Sequence, residues 1–124
     1  MNSEKAIEKV YNAVNNYGLV DTLYTMFGKN VKIRVAFTQK DCDTAIEELS
    51  LSVRAYNALK RAGFDRIGGV VDAIADGKLT KIRNLGNKSI VEIQVKVMEF
   101  GFDSMNVSEK KEFLWGILQE NCVC

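Results

Sequence analysis

No proline interrupts the chain at any of its 124 positions, and this constrains the fold more than any other feature. Proline is the usual breaker of helices and opener of turns, so helices here must be ended by glycines and side-chain caps instead. Runs of strict apolar and polar alternation, the mark of strands, are scarce. The expected fold class is all-α, a compact bundle of short helices.

Along the sequence, residues 4 to 17 carry Ile7, Val10, Val14 and Tyr17 at helical spacing, one apolar face. A second helix is expected over Val20 to Phe27, with Asp21 or Thr22 near its start and Gly28 past its end, and the two suit a hairpin. In "VKIRVAF", Val31, Ile33, Val35 and Phe37 alternate with Lys32, Arg34 and Ala36, the period of a half-buried strand. A lone strand lacks a ladder partner, so an extended connector is favoured over an edge that pairs with another molecule.

Further on, Thr44 stands three residues before Glu47, a capping-box spacing that opens a short helix through Leu49. Ser52 is placed to cap a helix over Val53 to Ala62 that stops at Gly63-Phe64, and "IGGVVDAIADG" makes a helix stopped at Gly77. A helix from Lys88 to Phe100 is expected to end in the same way at Gly101-Phe102. Ser108, followed by Glu109, opens a last helix to Asn121 bearing Phe113, Trp115, Ile117 and Leu118, with the tryptophan packed inward. The domain reading is an N-terminal helical extension at 1–40 with a possible strand at 31–37, a helical domain at 41–103, and a C-terminal helix and tail at 104–124.

Several function classes drop out. The sequence has no histidine, which removes the commonest general base and the usual nucleophile pairs, so no enzyme is expected. Its three cysteines, Cys42, Cys122 and Cys124, are too few ligands for a closed zinc site and are read as free cytosolic thiols, with no cofactor and no metal. Neither a leader nor an apolar run long enough to span a bilayer is visible, so the expected location is the cytoplasm and no membrane is a partner. A formal net charge of +1 implies that any contact with a polyanion is local.

Two stretches carry chemistry. In "IRNLGNKS", Gly86 meets a new helix start, Asn87 can cap it, and Lys88 puts a cation where the helix dipole prefers an anion. A phosphate held by the free amides, Lys88 and the Ser89 hydroxyl would explain that placement; a solvated lysine after a permissive glycine explains it equally well. In the earlier helix, Arg54 and Asn57 share a face beside small Ala58, while Val53 and Leu59 face inward. That set suits entry into a narrow groove, where arginine reads width and potential.

The segments "IEELSLSVRAYNALKRAG" and "IRNLGNKSIVEI", in this order and at this separation, resemble the C-terminal domain of the bacterial RNA polymerase α subunit over Ile46 to Phe102. The resemblance implies a helical bundle ending in a helix-hairpin-helix-like unit that binds A·T-rich double-stranded DNA across the minor groove. It places a groove-entering arginine at Arg54 and an asparagine at Asn57. Backbone-contacting residues fall at Gly86, Lys88 and Ser89, and an acidic residue at Glu92. Polymerase subunits, σ factor and activators are the partners it implies. The sequence departs from the family pattern at Ala58, where many members carry cysteine, at Ser50, where an acid commonly meets σ factor, and at Arg83, which replaces a frequent proline.

Residues 1 to 40 match neither the large assembly domain nor a flexible linker, so a free-standing protein is expected, with a homodimer as one use of its terminal elements. The leading functional expectation is a DNA-binding, transcription-associated protein. The alternative is an interaction module that mimics the polymerase domain and binds activators or σ factor without DNA, served by "VKIRVAF" and the Trp115 helix.

Overall fold

The computed structural model describes residues 3–121. Among them all regular structure is helical, and the only ladder-type pairing is one isolated bridge between Ala45 and Arg66. The all-α expectation is met. The protein divides into two units, one formed by Ala36–Gly101 and the other by the described parts of Met1–Val35 and Phe102–Cys124.

The second of these contains α1 (Ser3–Tyr17), α2 (Leu19–Phe27) and α7 (Val107–Asn121). Gly18 turns the backbone between α1 and α2 at φ 92°, a conformation that costs a glycine little, and its carbonyl starts α2. Val10, Val14, Leu19, Leu23, Leu114, Ile117 and Phe102 form the core of this unit. Tyr17, expected on the buried face of α1, is instead 72% exposed at the end of the helix. The hydroxyl of Thr22 is buried without a hydrogen-bond partner among the described residues, an arrangement that costs about 1 to 3 kcal/mol when nothing fills it.

The cap of α7 also differs from expectation. Asn106, not Ser108, is the N-cap: its amide oxygen accepts from the Glu109 N–H at 2.8 Å, and Glu109 Oε1 accepts from the Asn106 N–H at 2.9 Å. This reciprocal pair begins the helix at Val107 and leaves Ser108 inside it. Replacing Asn106 by alanine should lower stability by about 1 kcal/mol in urea unfolding, whereas Ser108→Ala should change it by only a few tenths. Trp115 is half-buried, as a packed tryptophan should be.

The alternating segment forms no strand among the described residues. Its burial still alternates, with Val31, Ile33, Val35 and Phe37 half-covered and the residues between them exposed. The reason no ladder is needed lies in Asn121, whose side-chain amide imitates a neighbouring peptide: Oδ1 accepts from the Lys32 N–H at 2.9 Å and Nδ2 donates to the Lys32 carbonyl at 3.1 Å. The segment is an extended connector.

The Ala36–Gly101 unit holds α3 (Gln39–Asp43), a 3₁₀ turn at Ile46–Leu49, α4 (Val53–Arg61), α5 (Ile67–Ala75), a second 3₁₀ turn at Leu79–Lys81, and the start of α6 (Asn87–Asp103). Thr38 opens α3 through a capping box with Asp41, so the box lies six residues before the one expected at Thr44. Thr44 instead closes α3, and its hydroxyl donates back to the Lys40 carbonyl. The glycine ends at α4 and α5 follow expectation. Gly63 sits at φ 93° with Phe64 N–H donating to Leu59 O, and Gly77 at φ 68° with Lys78 N–H donating to Ala73 O, the six-to-one bonds of left-handed caps.

Gly101 is no such stop, because α6 continues through it to Asp103 and Phe102 is buried. Val53, expected inward, is 76% exposed; the inner side of α4 is Ala55, Ala58 and Leu59. These join Ile46, Ile67, Val70, Leu85, Ile93 and others in one core. Within it α3 and α5 approach closely at Gly68, where a Cβ would lie 2.8 Å from Cys42 Cβ. Cys42 is a free thiol, half-buried; Cys122 and Cys124 lie outside the described residues.

Candidate nucleic-acid interface

The position of α4 is fixed at its first residue. Ser52 Oγ accepts from the Ala55 N–H at 3.3 Å as N-cap. The same hydroxyl donates to Glu92 Oε1 at 2.8 Å, and the Ser52 N–H donates to Glu92 Oε2 at 2.6 Å. One carboxylate on the second turn of α6 thus holds the N-terminus of α4 by two bonds. It also supplies the anion that a helix start favours, which offsets Arg54 two residues along. A second brace is the Tyr56 hydroxyl, which donates to Glu47 Oε2. That bond holds the Glu47 carboxyl below its ordinary range and pushes the Tyr56 phenol up.

On the exposed side of α4, Arg54 and Asn57 face an open recess of about 390 Å³ that Ala58, Arg61 and Asn84 complete. Two of these, Arg61 and Asn84, were not singled out in the sequence. Arg61 lies seven residues after Arg54, the next position on the same helical face, so its place was legible. Asn84 adopts φ 67°, one of only two non-glycine residues among the described ones with positive φ, and it turns the backbone into the recess two residues before Gly86. Asparagine tolerates that conformation better than most side chains.

This changes the meaning of Gly86. The left-handed residue of the turn is Asn84, so the backbone at Gly86 does not require glycine, and a Cβ built there would meet nothing within 4 Å. Neither backbone conformation nor internal packing calls for a glycine at this position. Gly86 is also the residue before α6, where its carbonyl accepts from the Ile90 N–H at 3.0 Å; Asn87, expected as the cap, is the first residue of the helix. Having no side chain, Gly86 leaves the opening amides of α6 uncovered. Lys88 beside them is exposed, while Ser89 is 8% exposed and so mostly withdrawn from solvent. Gly86, Lys88 and Ser89 do not line the Arg54 recess; the turn at Asn84 and the Glu92 bonds are what join the two halves.

A neighbouring recess of about 460 Å³ shares Ala58, Arg61 and Asn84 and adds an apolar floor, with Phe64 and Ile82, under a rim that includes Lys81 and Arg83. The described residues contain no cluster of His, Cys, Asp or Glu able to hold a metal ion, and no helix among them is long and apolar enough to cross a membrane.

No solved structure matches this protein. The family model for the C-terminal domain of the bacterial RNA polymerase alpha subunit matches residues 36–99, a span that takes in α3, α4, α5, both 3₁₀ turns and every residue of the surface described above. That family is a DNA-binding, transcription-associated domain without catalytic activity of its own. With its own helical core, its capped α4 and the glycine-opened start of α6 inside the matched span, the chain belongs to the family of bacterial RNA polymerase alpha C-terminal domains.

Proposed function

We propose that the protein binds A·T-rich double-stranded DNA, with Arg54 entering the minor groove, Asn57 at the base edges, and the backbone at Gly86 with Lys88 and Ser89 holding phosphate. The observation that carries this reading is Gly86: a glycine with no internal reason to be one is explained by a ligand backbone that must come close to the amides of α6. Glu92 acts here as a positioning residue, since a carboxylate repels phosphate but fastens α4 to α6. The protein works in the cytoplasm as a binding module, with polymerase subunits, σ factor or activators as protein partners.

Gly86→Ala isolates the carrying observation. The added methyl has open space and replaces a flexible residue, so thermal stability should hold or rise slightly. Affinity for an A·T-rich duplex should nevertheless fall by about tenfold, as a methyl group displaces the phosphate from the amides. Unchanged affinity in a gel shift would remove the main support for the reading.

Glu92→Ala gives an unusual sign. Removing a negative charge ought to strengthen binding to DNA through simple electrostatics. Because the charge holds Ser52, we expect weaker binding and a stability loss of about 1 kcal/mol, read by anisotropy titration and urea unfolding.

A second reading, that the protein captures σ factor or activators without DNA, is favoured by the recess floored by Phe64 and Ile82 under basic side chains, which suits an acidic, apolar protein segment. The double variant Arg54→Ala/Lys88→Ala separates the two. Retained capture of purified σ factor or polymerase by that variant supports the second reading, and joint loss of both activities supports the first.

A further inference from the structure

The α1 and α2 hairpin carries a groove of about 710 Å³ that the DNA reading does not use, bordered by Lys9, Ala13, Tyr17, Asp21, Thr22 and Met26. Its walls are mainly apolar. Thr22 also lies along it, only 6% exposed, with its hydroxyl buried beneath the surface. Tyr17, at 72% exposure, and Met26, at 44%, are large apolar side chains left in solvent on the same border. The Lys9 ammonium and the Asp21 carboxylate, both exposed, form no ion pair among the described residues.

We propose that this face pairs with the same face of a second copy of the protein. A two-fold interface must be self-complementary, and this patch is: it holds a protruding aromatic and a groove, a cation and an anion. Turned onto itself, Tyr17 of one copy enters the groove of the other and lays its ring against the apolar walls. Lys9 of each copy then meets Asp21 of the other. The groove volume alone also suits a small apolar ligand. Such a ligand leaves Tyr17 in solvent and both rim charges unpaired, whereas a second copy uses all of them.

Sedimentation of the 124-residue protein, without DNA, tests the pairing independently of any DNA activity. Wild type should show a reversible monomer–dimer equilibrium between micromolar and millimolar concentration. Lys9→Asp and Asp21→Lys should each raise the dimer Kd by about tenfold, because each puts two like-charge contacts into the interface. The double exchange Lys9→Asp/Asp21→Lys should return it to within about threefold of wild type. Both positions are exposed, so unchanged far-UV circular dichroism in all variants excludes misfolding as the cause. A protein that is monomeric at about 1 mM, or a dimer indifferent to the exchanges, overturns the proposal. A monomer that binds the apolar dye anilinonaphthalene sulfonate in this groove, with binding lost in Tyr17→Asp, also overturns it and assigns the groove to a small ligand.

Discussion

Arg54→Ala is expected to weaken binding to an A·T-rich duplex by about 1 to 3 kcal/mol, while leaving the unfolding midpoint within about 0.5 kcal/mol of wild type. The side chain is exposed on α4, borders the recess, and supports no core contact, so its loss costs the fold almost nothing. Arginine at that place also stands in the first turn of a helix, where the dipole disfavours a cation, and the Glu92 carboxylate only partly offsets this. In the proposed binding mode, the concentrated negative potential of an A·T minor groove would make such a placement favourable. Arg54→Lys should recover little, because a compact ammonium does not fill a narrow groove as a planar guanidinium does. Lys88→Ala should behave differently: a uniform loss across sequences and a salt dependence shallower by about one counterion. Anisotropy titrations of both variants against A·T-rich and G·C-rich duplexes at several salt concentrations separate these patterns. If Arg54→Ala and Lys88→Ala both bind as wild type does, the DNA reading is wrong.

The second large effect concerns two adjacent glycines in α5 that should respond with opposite sign. At Gly68 a methyl group would sit 2.8 Å from Cys42 Cβ, 3.1 Å from the Cys42 carbonyl oxygen and 3.2 Å from its Cα. These are backbone or near-backbone atoms of α3 and cannot swing aside. Gly68→Ala should therefore destabilise the protein by about 1 to 3 kcal/mol, as overpacked helix contacts do. At Gly69 the same methyl would lie 3.5 Å from Phe64 Cδ1, an ordinary contact. Gly69→Ala should stabilise by about 0.5 to 1 kcal/mol, since alanine is the better helix former and the site is exposed. Urea unfolding of the pair decides it, and a shared sign would show that α3 and α5 are not packed through Gly68.

How much of this was readable beforehand depends on how local each signal is. Gly63 and Gly77 end helices through bonds that span only six residues, so the pattern of glycine and a following residue sufficed. Gly101 carries the same pattern and fails, because burial of Phe102 in a core with Leu114 and Ile117 outweighs a local glycine signal. Thr44 does not open the turn at Ile46–Leu49, because it closes α3 with its hydroxyl turned back to the Lys40 carbonyl and Ala45 precedes the turn without a side-chain cap; Ser108 lost its cap role to Asn106, whose amide oxygen reaches the Glu109 N–H first. Val53 has helical spacing with Tyr56 and Leu59, yet α4 is rotated so that Ala55 and Ala58 are buried instead. Small side chains on that face give no hydrophobic signal, though they decide how closely α4 can pack. In the site, Arg54 and Asn57 share a helix face and are brought to one recess, as their spacing implies. The partner of Glu92 lies forty residues away at Ser52, and no local pattern marks a bond of that separation.

The Ser52 and Glu92 fastening has a consequence for selectivity between polyanions. In the proposed binding mode it sets a negative charge between the arginine side and the lysine side of a surface that meets a negatively charged polymer. A limp polyanion such as heparin or an unstructured single strand gains from many loosely placed cations and loses wherever it drifts over that carboxylate. A rigid duplex presents its phosphates in two rails with a gap between them, so it can satisfy both sides while keeping charge away from the middle. The same anion that lowers the attraction for charge in general thereby turns attraction into a test of spacing, and competition by heparin should be poor for a protein of this net charge.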